Sequence, residues 1–318
     1  MTDLLGFGDY RYEAVPDWGA LPEGMSFHEC AAVATDSRDN VFVFSRGKNP
    51  ITVFDRAGKY LATWGADLFK RAHGLHMAPD DTLWCTDDGD HTVRHCTLDG
   101  RVLRTFGLPN APAPFMSGKP FNRCTHTALS PEGDVYVSDG YGNNAVHKFS
   151  AEGKHLFSWG QPGTGEGEFN LPHNIVCDAA GYVYVADREN HRVQVFDGNG
   201  KFQTQWGNMH RACSIFLTGG KCPCCYVGEL GPALAVNIRT PNIGPRVSVY
   251  DLNGKLLSRF GELGGGAGQF WSPHGLCVDS HGDIYVAEVA ASAWPRYHDN
   301  QPMPPGTRSI QKYRRVQA

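Results

Sequence analysis

The sequence predicts an all-β protein built as a six-bladed β-propeller. Three observations support this fold class: a phrase that recurs along the chain, a constant pattern of short strands within each repeat, and a composition rich in turn residues. The 318 residues include 38 glycines and 20 prolines, whereas charged residues make up only 19%. Such a chain has many turns and little material for long surface helices, which excludes a helical bundle or a coiled coil.

The recurring phrase is a turn followed by a short strand that ends in an aromatic residue and a glycine. It is clearest at 199–207, which reads NGKFQTQWG. Successive closing glycines are 42 to 54 residues apart, the spacing typical of propeller blades. These glycines are Gly19, Gly65, Gly107, Gly160, Gly207 and Gly261.

Each repeat has the strand pattern of one blade. In the fourth repeat an apolar strand at 172–178 is followed by strands at 182–187, 192–196 and 201–206. The strand at 182–187 alternates with a period of two residues. Glycine, asparagine and aspartate mark the turns between the strands. We therefore predict four antiparallel strands joined by hairpins in every repeat.

Six first strands can be placed, and the ring is predicted to close with strands from both termini. The sixth repeat lacks a closing phrase after its third strand at 309–313, and the phrase at 10–19 supplies the missing fourth strand. This closure leaves no exposed sheet edge, so we expect a single domain over 1–318. The first strands begin near Ala31, His73, His126, His173, Ala212 and His274. The predicted blades are 28–65, 73–107, 124–160, 171–207, 210–261 and 272–316.

Charge and hydropathy narrow the classes of partner. The net charge is −4 and the pI is near 6.4, without the basic excess expected of a nucleic-acid-binding protein. No run approaches 18 apolar residues, and the N-terminus lacks the features of a signal peptide, so we expect a cytoplasmic protein without membrane contact. The ten cysteines are then expected to be reduced thiols. A small-molecule substrate is the expected partner, and nothing in the sequence indicates a protein partner.

Four of the six predicted first strands begin with a histidine, namely His73, His126, His173 and His274. First strands line the central channel of a propeller, so imidazoles at one repeat position can converge on a metal ion with an open position for substrate. Zn²⁺ is the metal we expect, although imidazole ligands also suit iron and manganese. The alternative is that these side chains only form hydrogen bonds inside a wet channel. His28 lies three residues before the equivalent position in the first blade, and its participation stays open.

A set of motifs in successive blades resembles a known family. The repeats resemble NHL repeats, and the motifs resemble peptidyl-α-hydroxyglycine α-amidating lyase, a propeller enzyme, over about 25–316. In order along the chain they are SRG at 45–47, AHGL at 72–75, VSDGY at 137–141, LPH at 171–173, ADREN at 186–190 and SPH at 272–274.

The resemblance implies a set of site residues. The family's three zinc-binding histidines match His73, His173 and His274. His126 is an imidazole where the family usually lacks one, and it is a possible additional ligand. Its catalytic tyrosine matches Tyr141, and its two active-site arginines match Arg46 and Arg188.

The family reaction cleaves the C–N bond of a carbinolamide. The resemblance therefore implies a metal-dependent lyase acting on a small hydroxylated amide in the central channel. Tyr141 would act as the base, Arg46 as the cation that stabilises its phenolate, and Arg188 as a fork that binds a carboxylate.

The sequence also departs from the family. Gly275 stands where the family has an aspartate that helps hold a structural calcium ion, which argues against calcium here. Ser272 replaces a methionine two residues before the third zinc histidine, and Gly142 replaces a cysteine that forms a disulfide in the family.

Two alternative functions remain at this stage. The same histidine site could serve a metal-dependent hydrolase or hydratase with a different small-molecule substrate. A non-catalytic NHL propeller that binds a protein partner would need neither the metal nor the group of Arg46, Tyr141 and Arg188.

Overall fold

A computed structural model, which describes residues 4–299 and 301–317, has six antiparallel sheets arranged as the blades of a ring. The all-β class and the six-bladed propeller predicted from the sequence are confirmed. In five of the sheets four consecutive strands pair in chain order, because each hairpin turn brings the next strand back beside its predecessor.

The chain begins with a hairpin, followed by the first two complete blades. The hairpin consists of β1 (Leu5–Phe7) and β2 (Tyr10–Val15). Blade one consists of β3 (Glu29–Thr35), β4 (Val41–Arg46), β5 (Ile51–Phe54) and β6 (Tyr60–Trp64). Blade two consists of β7 (Ala72–Met77), β8 (Leu83–Asp87), β9 (Thr92–Cys96) and β10 (Val102–Phe106).

Three further blades repeat this arrangement. Blade three consists of β11 (His126–Leu129), β12 (Val135–Asp139), β13 (Ala145–Phe149) and β14 (His155–Trp159). Blade four consists of β15 (Pro172–Cys177), β16 (Val183–Asp187), β17 (Arg192–Phe196) and β18 (Phe202–Trp206), with a short 3₁₀ turn at Arg188–Asn190. Blade five consists of β19 (Ala212–Leu217), β20 (Cys224–Glu229), β21 (Arg246–Asp251) and β22 (Leu256–Phe260).

Blade six is closed by the N-terminal hairpin, as predicted. A short parallel pair, β23 (Glu262–Leu263) and β24 (Gln269–Phe270), precedes β25 (Pro273–Val278), β26 (Ile284–Glu288) and β27 (Ile310–Val316). Strand β2 pairs antiparallel with β27, from Arg11 opposite Val316 to Val15 opposite Lys312. Strand β1 adds a fifth, outer strand beyond β2, which no repeat motif in the sequence indicates.

The recurring turn glycine and the recurring tryptophan contact each other across blade boundaries. A Cβ added to Gly200 would lie 2.8 Å from the ring of Trp159, and one added to Gly254 would lie 2.5 Å from the ring of Trp206. Both glycines have positive φ angles, +77° and +80°, which favour glycine. The turn of one blade therefore packs on the aromatic residue that ends the blade before it, which explains why the two motifs recur together.

A helix lies between the second and third strands of blade six. Helix α1 (Ala290–Tyr297) follows β26, in a segment rich in proline and aromatic residues. Its buried side chains are Ala290, Ala293 and Tyr297, and the backbone N–H of Ser292 donates to the buried Glu29 of blade one at 2.7 Å. In the part of the chain that the structure describes, no helix is long and apolar enough to cross a membrane.

Candidate metal centre

Three of the predicted histidines come together at one end of the central channel. His73, His173 and His274 lie in the first strands of blades two, four and six. Each of the three histidines occupies a β-bulge. In blade four Pro172 pairs with Asp187 and Asn174 pairs with Ala186, so that His173 between them has no partner across the hairpin. His73 and His274 are skipped in the same way in their own hairpins. A bulge turns the unpaired side chain away from the regular pleat, and here all three turn toward the channel axis.

A buried carboxylate holds the chain just before each histidine strand. Asp187, at the end of β16, accepts a hydrogen bond from the backbone N–H of Asn170 at 2.7 Å. Asp87 does the same for Lys70 and Arg71 in blade two, and Glu288 for the chain before β25 in blade six. Burial raises the pKa of the Asp87, Asp187 and Glu288 carboxyls. These carboxyls position the histidine strands rather than acting on a ligand.

The three imidazoles form a tight and buried cluster. Their ring centroids are 4.7 to 4.8 Å apart, and one nitrogen from each ring lies within 4.8 Å of the other two. The residues are only 2%, 2% and 5% exposed. Burial lowers the pKa of His73, His173 and His274 well below the usual value, and neighbouring imidazoles or arginines lower it further. The cluster is therefore neutral, the form in which histidine binds metals.

Backbone carbonyls determine which nitrogen of each ring is available. The Nδ1 atoms of the three histidines lie 2.6 to 2.7 Å from backbone oxygens of Thr125, Cys213 and Ala31. A carbonyl only accepts, so each Nδ1 carries the hydrogen and each Nε2 keeps its lone pair. Three Nε2 lone pairs at one point, with their rings fixed from behind, are the donor set of a metal site that keeps an open position.

The partners of these hydrogen bonds show an alternation around the ring. Thr125, Cys213 and Ala31 occupy the same position in blades three, five and one that the histidines occupy in blades two, four and six. Each histidine donates to the blade that follows it. The six blades therefore alternate between supplying an imidazole and supplying its acceptor.

This alternation corrects the prediction for His126. In blade three it is Thr125 that matches the ligand position, and His126 lies one residue further along, paired with Ser138. Its Nδ1 is 3.2 Å from the Ile175 oxygen, and among the described residues it does not join the converging nitrogens. Burial lowers the pKa of His126 to about 4. His28, the other open candidate, is exposed and lies outside the cluster.

Tyr141 lies directly over the histidine cluster. It follows β12, and its hydroxyl oxygen is 3.0 Å from Nε2 of His73 and 3.2 Å from Nε2 of His173. Burial raises the pKa of Tyr141, and the Arg188 guanidinium opposes that rise. The phenol oxygen therefore lies beside the point at which the nitrogens converge.

The two predicted arginines are placed differently. The Arg188 guanidinium carbon is 5.8 Å from the Tyr141 ring centroid, and its Nε donates to Glu189 at 2.7 Å. Arg46 donates from Nε to the Ala72 oxygen at 3.0 Å and from Nη1 to the buried Glu29 at 2.7 Å. Arg46 is thus held by the protein, and Arg188 acts more strongly than Arg46 on the Tyr141 pKa, which corrects the expectation that Arg46 is the main cation beside the phenol.

Sequence reasoning missed several residues at the channel mouth. Arg71, Arg123 and Arg211 each stand two positions before the ligand position of their blade, and the Arg123 guanidinium lies 4.6 Å from the Tyr141 ring centroid. This recurrence was the signal that could have found them. Cys213 is also close, with Sγ 3.3 Å from Nδ1 of His173.

The residue after His274 does not fit the family's calcium site. A Cβ on Gly275 would lie 2.6 Å from the Ala32 Cα and 2.7 Å from the Ala31 oxygen. The close approach of blades six and one leaves no space for a carboxylate side chain at this position.

The comparisons with known proteins agree with the fold and with the motifs. The NHL repeat model matches residues 169–196 and 270–292. Human NHL repeat-containing protein 3 is 31% identical over 306 residues, which cover 88% of this chain and 82% of that protein. Peptidyl-alpha-hydroxyglycine alpha-amidating lyase 1 of Drosophila melanogaster is 31% identical over 253 residues, which cover 73% of this chain but only 45% of that protein.

Solved structures resemble the chain in fold. A catalytically inactive virginiamycin B lyase from Staphylococcus aureus with quinupristin superposes with a TM-score of 0.59 at 13% identity, covering 99% of this chain and 100% of that one. At this identity the likeness shows the propeller fold alone. With the relatives that its sequence matches, the chain belongs to the NHL-repeat β-propeller family that contains NHL repeat-containing protein 3, and amidating lyases are among its homologues.

Proposed function

We propose that the protein is a metal-dependent lyase that cleaves the C–N bond of a carbinolamide in the central channel. The observation that carries this proposal is the set of three buried histidines whose Nε2 atoms converge beneath the Tyr141 hydroxyl. Homology to amidating lyases supplies the reaction class. An accessory propeller that binds a protein partner would have no need for three oriented, neutral imidazoles beside a phenol.

The donor set fits a divalent metal, with Zn²⁺ as our choice. His73, His173 and His274 would hold the ion through Nε2, since each Nδ1 is engaged with a backbone carbonyl. A bound zinc ion would polarise a substrate oxygen and offset the charge that develops on it.

The reaction we propose converts an N-acyl-α-hydroxyglycine into an amide and glyoxylate. The Tyr141 oxygen, as the phenolate that a bound metal ion and the Arg188 guanidinium would favour, would take the proton of the carbinol hydroxyl. The C–O double bond would form with the released electron pair, and the C–N bond would break. The departing nitrogen takes up a proton, so that no oxidant or water is consumed. Tyr141 reaches this role by position, because its oxygen lies next to the converging nitrogens.

The arginines have separate roles in this proposal. Arg188 lies against the Tyr141 ring with its Nε held by Glu189, which directs the two terminal nitrogens as a fork for the substrate carboxylate. Arg46 is fixed by Glu29 and by the Ala72 carbonyl, next to His73. It acts as a positioning residue that ties blade one to the histidine strand of blade two and supplies positive charge to the site.

The test combines metal analysis with turnover of N-benzoyl-α-hydroxyglycine, followed by the release of benzamide and glyoxylate. We expect one transition metal per chain, turnover by the wild type, and loss of both in His173→Ala. The matched control is His155→Ala, since His155 is exposed on the outer strand β14. A wild type that carries metal but does not release glyoxylate would favour the hydrolase or hydratase alternative, and absence of metal would favour the non-catalytic one.

A further inference from the structure

We propose that Arg71 and Arg123 form a second anion subsite at the channel mouth, which selects substrates that carry a second carboxylate away from the bond that breaks. The inference rests on the proposed function, because it names a part of the substrate bound in the same channel. It assigns a role to a cluster that the reaction itself does not use.

The cluster is organised by one buried carboxylate. Asp88 is 1% exposed, and its Oδ2 accepts hydrogen bonds from Nη1 of Arg71 at 2.5 Å and from Nη2 of Arg123 at 3.0 Å. One negative charge is thus shared by two guanidinium groups, which leaves the cluster with a net charge of about +1.

Most of the donors of this cluster are free for a ligand. The Arg71 and Arg123 side chains are 38% and 45% exposed. Within 4–299 and 301–317, each forms one side-chain hydrogen bond, to Asp88. In addition, Asp88 Oδ1 is buried without a partner among the described residues, so that one acceptor of the cluster is unused.

A similar cluster at the channel mouth, around Glu189, differs because the Arg211 donors in it are bound within the protein. Glu189 is bound by Arg188 and by Arg211, and Arg211 alone gives it three hydrogen bonds and is only 7% exposed. The hydrogen-bond donors of Arg211 are therefore used within the protein. Within the described ranges, the side chains of Arg71 and Arg123 each form only the hydrogen bond to Asp88, although both residues occupy the equivalent position of their blades.

The position of the subsite is fixed by the fold. The backbone N–H of Arg123 donates to Nδ1 of His91 at 3.0 Å, so that the turn of blade two holds the loop of blade three. The Arg123 guanidinium lies over the Tyr141 ring at 4.6 Å, and the hydroxyl of the same ring contacts the histidine nitrogens. The open donors are therefore one phenol ring away from the proposed reaction centre.

This placement defines the substrate class. Arg188 is assigned to the α-carboxylate of the hydroxyglycine unit. The pair of Arg71 and Arg123, which reaches the Tyr141 ring through Arg123, is assigned to the acyl side of the carbinolamide. Planar guanidinium forks match carboxylates. The structure thus points to an N-acyl-α-hydroxyglycine whose acyl part ends in a carboxylate.

The experiment measures anion preference without requiring turnover. Calorimetric titrations compare terephthalate with benzoate and glutarate with butyrate, which supply a rigid and a flexible spacer between two carboxylates. We expect the wild type to bind at least one dianion at least fivefold more tightly than its matched monoanion, and the preference to fall below twofold in Arg71→Gln and in Arg123→Gln. Lys48→Gln, which removes an exposed positive charge from the turn after β4, is the matched control and should retain the preference.

Two outcomes would overturn the subsite: a wild type without preference in either pair, or a preference that persists in both arginine variants. Turnover of N-benzoyl-α-hydroxyglycine and of its 4-carboxybenzoyl analogue separates this result from the lyase proposal. Dianion preference without turnover of either compound would refute the lyase and leave the subsite as an anion-binding site. Equal turnover of both compounds, without dianion preference, would support the lyase and refute the subsite.

Discussion

At the candidate metal centre, single hydrogen bonds decide which nitrogen of each imidazole is available. A histidine in water exchanges between two tautomers, but His73, His173 and His274 each face a backbone oxygen at 2.6 to 2.7 Å, so only the Nδ1–H form fits. Because the acceptors are backbone atoms of the neighbouring blade, the tautomer is a consequence of the fold. The Tyr141 hydroxyl completes the arrangement as the polar group above the Nε2 atoms.

The first prediction concerns the Tyr141 hydroxyl. Tyr141→Phe should lower kcat on N-benzoyl-α-hydroxyglycine by roughly 10²-fold or more, the contribution typical of a positioned general base. The metal content should stay at the wild-type level, because the three histidines and their carbonyl acceptors are untouched. Steady-state kinetics and elemental analysis of the same preparation check this. Full activity of the variant would remove Tyr141 from the mechanism.

The second prediction concerns pH and the buried His126. Burial holds its pKa at about 4, whereas an unfolded histidine has a pKa near 6.5. Below pH 6.5 the unfolded chain therefore binds more protons than the folded one at this residue, and stability falls as the pH is lowered. Between pH 7 and pH 5, His126 alone should account for a loss of roughly 2 kcal/mol.

Urea unfolding of metal-free wild type and His126→Gln at the two pH values measures this contribution. The variant should lose less stability on acidification than the wild type by about that amount. An identical loss in both proteins would show that His126 titrates normally in the folded state.

At the level of elements, the bulged first strand and its carboxylate act together. The bulge turns the histidine toward the axis, and the carboxyl at the end of the second strand fixes the chain that leads into it. Closure of the ring is also a property of one element. Strand β2 covers the edge of β27, and its Tyr12 is fully buried against Phe260 and Tyr226.

The third prediction concerns this closing strand. Tyr12→Ala should reduce the free energy of unfolding by about 3–5 kcal/mol, because it leaves a cavity in the core between blades five and six. Phe7→Ala in the outer strand β1 is the matched control, since Phe7 is 49% exposed, and should change stability by less than about 1 kcal/mol. Chemical denaturation measures both variants. Equal stabilities of the two would mean that β2 does not close the ring in solution.

Elements could be predicted where the residues that indicate them are adjacent in the sequence. The blades could be predicted because the turn glycine, the strand and the closing tryptophan are read from adjacent residues, and the glycine packs on the preceding blade's tryptophan. His126 was assigned to the wrong position because the histidine itself was taken to mark the ligand position of the blade. His126 pairs with Ser138 across the hairpin, as the residue after the ligand does in blade four, so that Thr125 holds the ligand position. Only the pairing of the strands shows this.

The channel mouth could be predicted only in part. The motifs that resemble the lyases identified Tyr141 and Arg188, which the structure brings together with the histidines. Asp88, Arg71 and Arg123 come from three separate segments, and their contact depends on the meeting of blades two and three. No pattern along the chain reports such a contact, although the arginine that recurs two residues before the ligand position is a partial signal.

For the whole molecule, the metal centre would act as a link across the ring. The three histidines come from alternate blades, so an ion bound to them would join blades two, four and six at the axis. Beneath the cluster the channel narrows to a cavity of about 10 Å³, room for roughly one water molecule. This narrow section separates the histidines from a cavity of about 360 Å³ at the opposite end of the first strands. In the proposed reaction, substrate and product would use the end at which Tyr141 and the arginines lie.

The fourth prediction is that metal stabilises the entire propeller. An ion that binds only the folded ring raises the free energy of unfolding by about 4 kcal/mol when its free concentration is a thousand times its Kd. Thermal unfolding of the wild type should therefore shift upward when Zn²⁺ is added to the chelated protein. His173→Ala should show no such shift, and a shift of wild-type size in this variant would place the stabilising ion elsewhere.

We propose above all that His73, His173 and His274 hold one metal ion at the channel axis. Anomalous diffraction from crystals of the purified protein, collected above and below the zinc absorption edge, tests it most directly. We predict one anomalous peak about 2.0–2.1 Å from the Nε2 atoms of the three histidines, with an open position toward Tyr141. Zinc-loaded crystals without a peak at the axis, or with the ion bound only at other residues, would contradict the account.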